Sequence, residues 1–301
     1  MTTVRSYRSS APARRGDFAQ LLHAEWTKFR TVRGWVTGMI VAVFVIVGFG
    51  LFASGGGVKA RGTTACPPGM SSADCRSAAV SLAPPENTIA LYLIGTFAGL
   101  IAVAVVATMF MSAEYRRGLI RTTLAASPAR GRVLAAKAIV IGAVAFAAGL
   151  AAAAGAVIFA TDLAHHRGLS VLSVRWPTEL RIIAGTAALI AVAAVFTLAI
   201  ATMMRRSATA ILIVIVTIVI PFVLSAPPGI PIALTEWLLR VTPAAAFALQ
   251  QPMPQYYQVQ ASYTPPSGFY PLAPWAGFAV LCGWTALALV LAAYLLRRRD
   301  A

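Results

Sequence analysis

IIAGTAALIAVAAVFTLAIATMM, residues 182–204, contains no charged side chain and no proline, and Arg181 and Arg205 stand at its two ends. About 20 largely apolar residues in a helix cross the roughly 30 Å of hydrocarbon in a bilayer. A helix also satisfies its own backbone donors and acceptors, as that medium requires. Outward from this stretch, five further runs of the same kind occupy about 35–53, 88–111, 137–160, 210–226 and 274–296. The chain is 59% hydrophobic and 11% charged, with mean hydropathy +0.77, which excludes a soluble globular domain. The expected fold class is therefore an all-α membrane protein with six transmembrane helices.

No hydrophilic stretch between the runs is long enough to fold separately, so residues 17–301 read as one transmembrane domain. Residues 1–16 are basic and poor in apolar side chains, and read as a disordered cytoplasmic tail. The first run lies more than thirty residues from the start and exceeds a signal-peptide core, so it reads as a retained anchor.

The net charge of +16 is explained by its distribution. With the N-terminus inside, only Lys59, Arg61, Arg76, Arg167, Arg175, Arg181 and Arg240 of the 25 basic residues fall on the external side. The positive-inside rule selects this orientation, with both termini cytoplasmic. The charge is topological and gives no reason to expect a nucleic-acid partner.

Ahead of the first run, DFAQLLHAEWTKFRTVR (residues 17–33) places Phe18, Leu22, Trp26 and Phe29 at helical spacing. This predicts an amphipathic interfacial helix with Asp17 as its N-cap and Trp26 at headgroup depth. The first external loop carries CPPGMSSADC, in which Cys66 and Cys75 face an oxidising side. A disulfide there would stabilise a coreless loop, and two free thiols are the alternative. Cys282, inside the last run, reads as a packing residue. The third run is rich in alanine and glycine, which predicts an internal, tightly packed helix, and Pro221 should bend or end the fifth. In TEWLLRVTPAAAFALQQ (residues 235–251), Thr235 and Glu236 form a cap signal and Pro243 an interruption. One or two short helices at, or dipping into, the outer face are expected here, between spans five and six.

Chemistry is constrained mainly by the motifs that are missing. None of the six runs has an ionisable residue in its interior, and Lys137, Arg181 and Arg205 lie at ends from which they could snorkel. Ion-coupled carriers normally hold such groups within the membrane, so that reading ranks low. There is no H-E-x-x-H and no G-x-x-x-x-G-K-[ST], and the only histidines are His23, His165 and His166. No catalytic residue, metal site or cofactor site is expected in the chain itself.

The most informative stretch is AEYRRGLIRTTLAASPARGRVLAAK, residues 113–137, between the second and third runs. A short helix over 113–124, broken before Pro128, would bring Glu114, Arg117 and Arg121 to one face, with Tyr115, Leu119 and Ile120 available for apolar contact. Such a helix could dock into a groove on a partner, although a solvated basic connector would also satisfy the charge rule.

These residues resemble a known family, the permease subunits of ATP-binding-cassette exporters of the second type. Glu114-Tyr115-Arg116, then Gly118, Arg121 to Leu124, Pro128, Arg130 and Lys137, look like its coupling segment, with Leu119 where relatives often carry Thr. Residues 21–35 are similar to its interfacial start helix, and those from Trp237 to Gln251 to its external re-entrant helices. The resemblance implies a bacterial plasma-membrane exporter of two permease copies or paralogues and two separately encoded ATPase subunits, which hold the ATP and Mg. It also implies that Glu114, Tyr115, Arg116, Arg117, Gly118 and Arg121 carry coupling to the ATPase. The cargo would be hydrophobic or amphipathic, and membrane lipids would surround the complex. The alternative is a membrane scaffold or sensor partnered with an ATPase.

Overall fold

The computed structural model of the chain describes residues 17–52, 89, 92–116, 130–166, 174–204, 206–224, 231–251 and 271–299. Cys66, Cys75, Arg117, Gly118, Arg121, Arg205 and the 1–16 tail lie outside the described residues, as do the side chains of Asp17, Glu114, Tyr115 and Arg116.

Every regular element among the described residues is helical. In chain order they are α1 (Asp17–Thr31), α2 (Arg33–Phe52), α3 (Thr96–Arg116), α4 (Arg130–His166), α5 (Trp176–Met204), α6 (Ser207–Leu224), α7 (Ile232–Val241), a 3-10 helix (Pro243–Gln250) and α8 (Pro274–Arg299). Six of these, α2 to α6 and α8, are long and apolar enough to cross a membrane.

The boundaries move in two informative places. α3 begins at Thr96, after a turn through Leu93 and Gly95, instead of near residue 88. At Gly95 a Cβ would fall 2.5 Å from the Ile46 carbonyl oxygen, so here the chain lies directly on the α2 backbone. α4 begins at Arg130, seven residues before the apolar run, and its 37 residues extend about 55 Å at 1.5 Å per residue. Arginines within the first turn hid this start from a reading based on apolar runs.

α5 is the pillar of the bundle. It touches α3, α4, α6, α8 and the 3-10 helix, and its buried face runs continuously from Gly185 through Thr202 apart from a few positions. The outer helices leave large apolar side chains uncovered, among them Phe44 and Phe52 on α2, Leu212 and Val223 on α6, and Leu287 and Val290 on α8. In water such faces would drive aggregation, whereas hydrocarbon is their natural solvent.

α6 is not uniform. Ser207–Val214 is α-helical, Ile215–Val219 forms a π turn, and Ile220–Leu224 resumes the α-helix. The Ile220 amide donates to the Ile215 carbonyl, five residues back, just before Pro221, which has no amide to donate. The proline's disturbance is thus absorbed upstream as a widened turn, and the helix continues to Leu224.

The expected Thr235 cap is incorrect. α7 starts at Ile232 after Pro231, whose fixed φ of −55° leads the chain into the helix, and Thr235 is buried in its first turns. Pro243 does interrupt the segment, opening a 3-10 helix in which all eight residues are buried. Such helices seldom exceed three or four residues, so tertiary packing holds this one in place.

Gly277 of α8 makes that packing possible, because a Cβ there would overlap the Ala245 carbonyl oxygen. A backbone atom cannot swing aside, so Gly277→Ala should lower stability by about 1–3 kcal/mol despite alanine's better helix propensity. Gly283→Ala, on the same helix and with nothing within 4 Å of the new methyl, should be neutral or stabilising. Thermal melting of both variants in mild detergent checks this, and equal melting temperatures would contradict the packing described.

Candidate functional site: two polar nodes at opposite ends of the bundle

The apolar face of α1 contains a carboxylate. Glu25 is fully buried, and its two oxygens are divided between two lysines. Lys28, on the next turn, approaches Oε1 at 2.6 Å, and Lys137 of α4 approaches Oε2 at 2.6 Å. Lys28 remains 44% exposed while Lys137 is 1% exposed. The Lys137 Nζ also lies 4.3 Å from the centroid of the Phe110 ring of α3, close enough for a cation–π contact.

Phe110 belongs to an aromatic group that closes this node. Its ring meets Phe29 edge-on at 5.7 Å and Trp35 edge-on at 5.0 Å, and Phe29 and Trp35 are 6.0 Å apart. Side chains from α1, α2, α3 and α4 therefore converge on one charged pair. Lys137 does not snorkel: α4 begins well before it, so it sits two turns inside the helix and its charge is neutralised by a residue 112 positions away in sequence.

Of the four expected apolar residues of α1, Phe29 is buried, Phe18 and Leu22 are partly buried and Trp26 is 41% exposed. The helix presses its Glu25–Phe29 side onto the bundle and turns Trp26 to the flank. Glu25 carried no signal by itself in the sequence. A signal was available in combination, since a lone Glu at the centre of an otherwise apolar stripe requires a buried cation, and Lys137 was the nearest basic residue to an apolar run.

Three of the residues expected to carry coupling lie close to this node in the chain, and Arg117, Gly118 and Arg121 lie outside the described residues. Glu114, Tyr115 and Arg116 form the last turn of α3, one turn past Phe110, and α4 resumes at Arg130, two turns before Lys137. The two helices that flank the segment 117–129 are thus joined through Lys137 and Phe110.

The second node lies at the other end of α3, about 20 Å away by helix rise from Phe110 to Thr96. Gln250, the last residue of the 3-10 helix, is buried and donates both hydrogens of its amide, to Thr96 Oγ1 of α3 at 3.2 Å and to Thr186 Oγ1 of α5 at 3.3 Å. Beside it the rings of Phe97, Phe222 and Phe247 stack at 4.1, 4.3 and 5.2 Å, tying α3, α6 and the 3-10 helix together. Arg181, at the end of its run from which it could snorkel, donates from its guanidinium to the Gln251 main-chain oxygen. Trp284 of α8 donates to the Val241 carbonyl at 2.8 Å, where α7 ends. This node is uncharged at its centre, apart from Arg181 at its edge.

Neither node holds a nucleophile beside a base. Among the described residues no three His, Cys, Asp or Glu side chains converge as a metal site would require. His166 Nε2 is 3.6 Å from Asp162 Oδ2 on the exposed end of α4, which is surface pairing. No protein-family model matches the chain, and no curated protein matches it either.

Removing one partner of a buried pair strands the other charge, which typically costs about 3–5 kcal/mol. Glu25→Ala is expected to destabilise the protein by that amount, and Lys137→Met by less, because Lys28 still faces the Glu25 carboxylate. The double variant Glu25→Leu with Lys137→Met removes both charges and should melt well above either single variant. If it melts at the sum of the two losses, the residues do not act as a pair.

Proposed function

We propose that this chain is the membrane permease of an ATP-driven exporter of the bacterial plasma membrane, with ATP hydrolysed by separately encoded subunits. The observation that carries the reading is that α3 and α4, the helices before and after residues 117–129 in sequence, are joined to one another and to α1 by the Glu25–Lys137–Phe110 node. A partner that moved this segment would move the ends of α3, α4 and α1 together, which is the requirement for passing motion from an ATPase into the spans.

The resemblance of residues 113–137 to a coupling segment supplies the identity of the partner. α1 then lies at the cytoplasmic interface, and α7 with the 3-10 helix forms the external re-entrant element. The α1 end of the bundle carries exposed Arg30, Arg33, Arg132, Arg297 and Arg298, so the positive-inside rule turns it to the cytoplasm. Two such permeases would pair, and an apolar path between or beside them would carry a hydrophobic or amphipathic cargo.

The buried Glu25–Lys137 pair also bears on the ion-coupled reading, since intramembrane charges often form proton relays. A relay needs a next station. Apart from this pair, the buried side chains with polar groups among those described are threonines, the glutamines Gln250 and Gln251, and Tyr92, which precedes Thr96 at the opposite end of α3. No second buried carboxylate, lysine, arginine or histidine follows the pair across the bundle among the described residues, which favours its serving as a joint.

Co-expression with a candidate ATPase subunit of its own cell should give a complex that elutes as one species and hydrolyses ATP. Glu114→Lys combined with Arg117→Glu should uncouple hydrolysis from transport in vesicles. Unchanged export by the double variant would overturn the coupling assignment. A membrane protein that retains no ATPase of its own cell would overturn the permease reading.

A further inference from the structure

A cleft of about 360 Å³ runs between α1 and α4, lined by Leu22, His23 and Trp26 on one side and Ile139, Val140 and Ala143 on the other. It is open along one flank, where Ile139 is 49% exposed and Trp26 41% exposed. We propose that it is a binding site for one anionic phospholipid, whose acyl chain lies in the cleft and whose headgroup meets Arg30.

Three observations select this occupant. The α4 wall lies two to six residues beyond Lys137, inside the part of α4 suited to cross the bilayer, so the floor of the cleft is at the edge of the hydrocarbon. The α1 wall changes character along its length. Ala19, His23, Trp26 and Arg30 follow one another at steps of four, three and four residues, which places them on a single stripe of the helix. Arg30 is therefore one turn past Trp26 on the same face, and it is exposed. A largely apolar trough with a guanidinium one helical turn beyond its lining matches a molecule with a long chain and an anionic head, and an indole at the junction suits that depth.

Charge around the cleft points the same way. The exposed described residues at this end of the bundle include Arg30, Arg33, Arg132, Arg297 and Arg298. The carboxylate of Glu25 is buried and paired with lysines, so it does not offset them at the surface. Positive potential at a membrane surface recruits anionic headgroups. A bound lipid here would fill the gap beside the Glu25–Lys137 joint and brace α1 against α4. The site requires only that the six helices cross a bilayer, so it stands or falls separately from any ATPase.

Native mass spectrometry of the full chain, titrated with phosphatidylglycerol or with phosphatidylcholine of identical acyl chains, tests the proposal. The wild-type protein should bind one phosphatidylglycerol about tenfold more tightly than phosphatidylcholine, equivalent to ~1.4 kcal/mol. Ala143→Phe, at an exposed position, fills the cleft and should abolish the tight adduct of either lipid, while Ile158→Phe, farther along α4, should leave it intact. Arg30→Gln should reduce the preference to within about twofold while retaining a chain-dependent adduct. Equal retention of the two lipids by the wild type, or an undiminished adduct with Ala143→Phe, would overturn the assignment. So would an adduct with glycerol phosphate that lacks acyl chains.

Discussion

The fold depends on one buried ion pair. Glu25 and Lys137 are both withdrawn from solvent, and in a medium of low dielectric neither could remain charged alone without a large desolvation cost. Each therefore fixes the other. Glu25 must face α4 at the height of Lys137, which sets both the rotation and the position along the axis of α1. Once α1 is placed, Phe29 can meet Phe110 and Trp35, and those rings bring in α3 and α2. An apolar contact of the same area would hold the elements together as well, but it would tolerate sliding. Two oxygens held by two ammonium groups at 2.6 Å would not.

The opposite end is held differently. There the elements are locked by close backbone approach and by a neutral amide between two hydroxyls. The 3-10 helix fits because Gly277 of α8 has no side chain to obstruct the Ala245 carbonyl, and Gln250 satisfies both of its donors on helices α3 and α5. A neutral network imposes a smaller desolvation penalty than a charged one. The bundle thus has a stiff charged joint at one end, a neutral latch at the other, and α5 in contact with the elements of both.

How much of this was legible depends on the physics of each signal. The six spans were legible because burial in hydrocarbon requires long uncharged runs, and such runs are visible without any knowledge of neighbours. Pro243 marked the break after α7 because a missing amide acts locally. The start of α4 was not legible, since Arg130 and Arg132 are excluded from an apolar run although they are good helix formers. Thr235 was misread because a Thr-Glu pair can cap a helix or sit within one, and Pro231, four residues earlier, had already set the start. Glu25 and Gln250 were missed for a common reason. Their roles are defined by partners 112 and up to 154 positions away, and a periodicity argument sees only neighbours within a few turns.

The spans could be exchanged for other apolar sequences of similar volume with little loss of the fold class, because hydrocarbon selects for composition more than for identity. The residues that cannot be exchanged are the few polar ones placed inside the bundle against that selection. Threonines occur within the spans, but Glu25, Lys137 and Gln250 lie at the two ends of the bundle, the first two near the C-terminal end of α3 and the N-terminal turns of α4 and the last where the 3-10 helix packs. Polar groups so placed hold the ends of helices relative to one another. Under the permease reading proposed above, such joints would pass a displacement of one helix end to its neighbours.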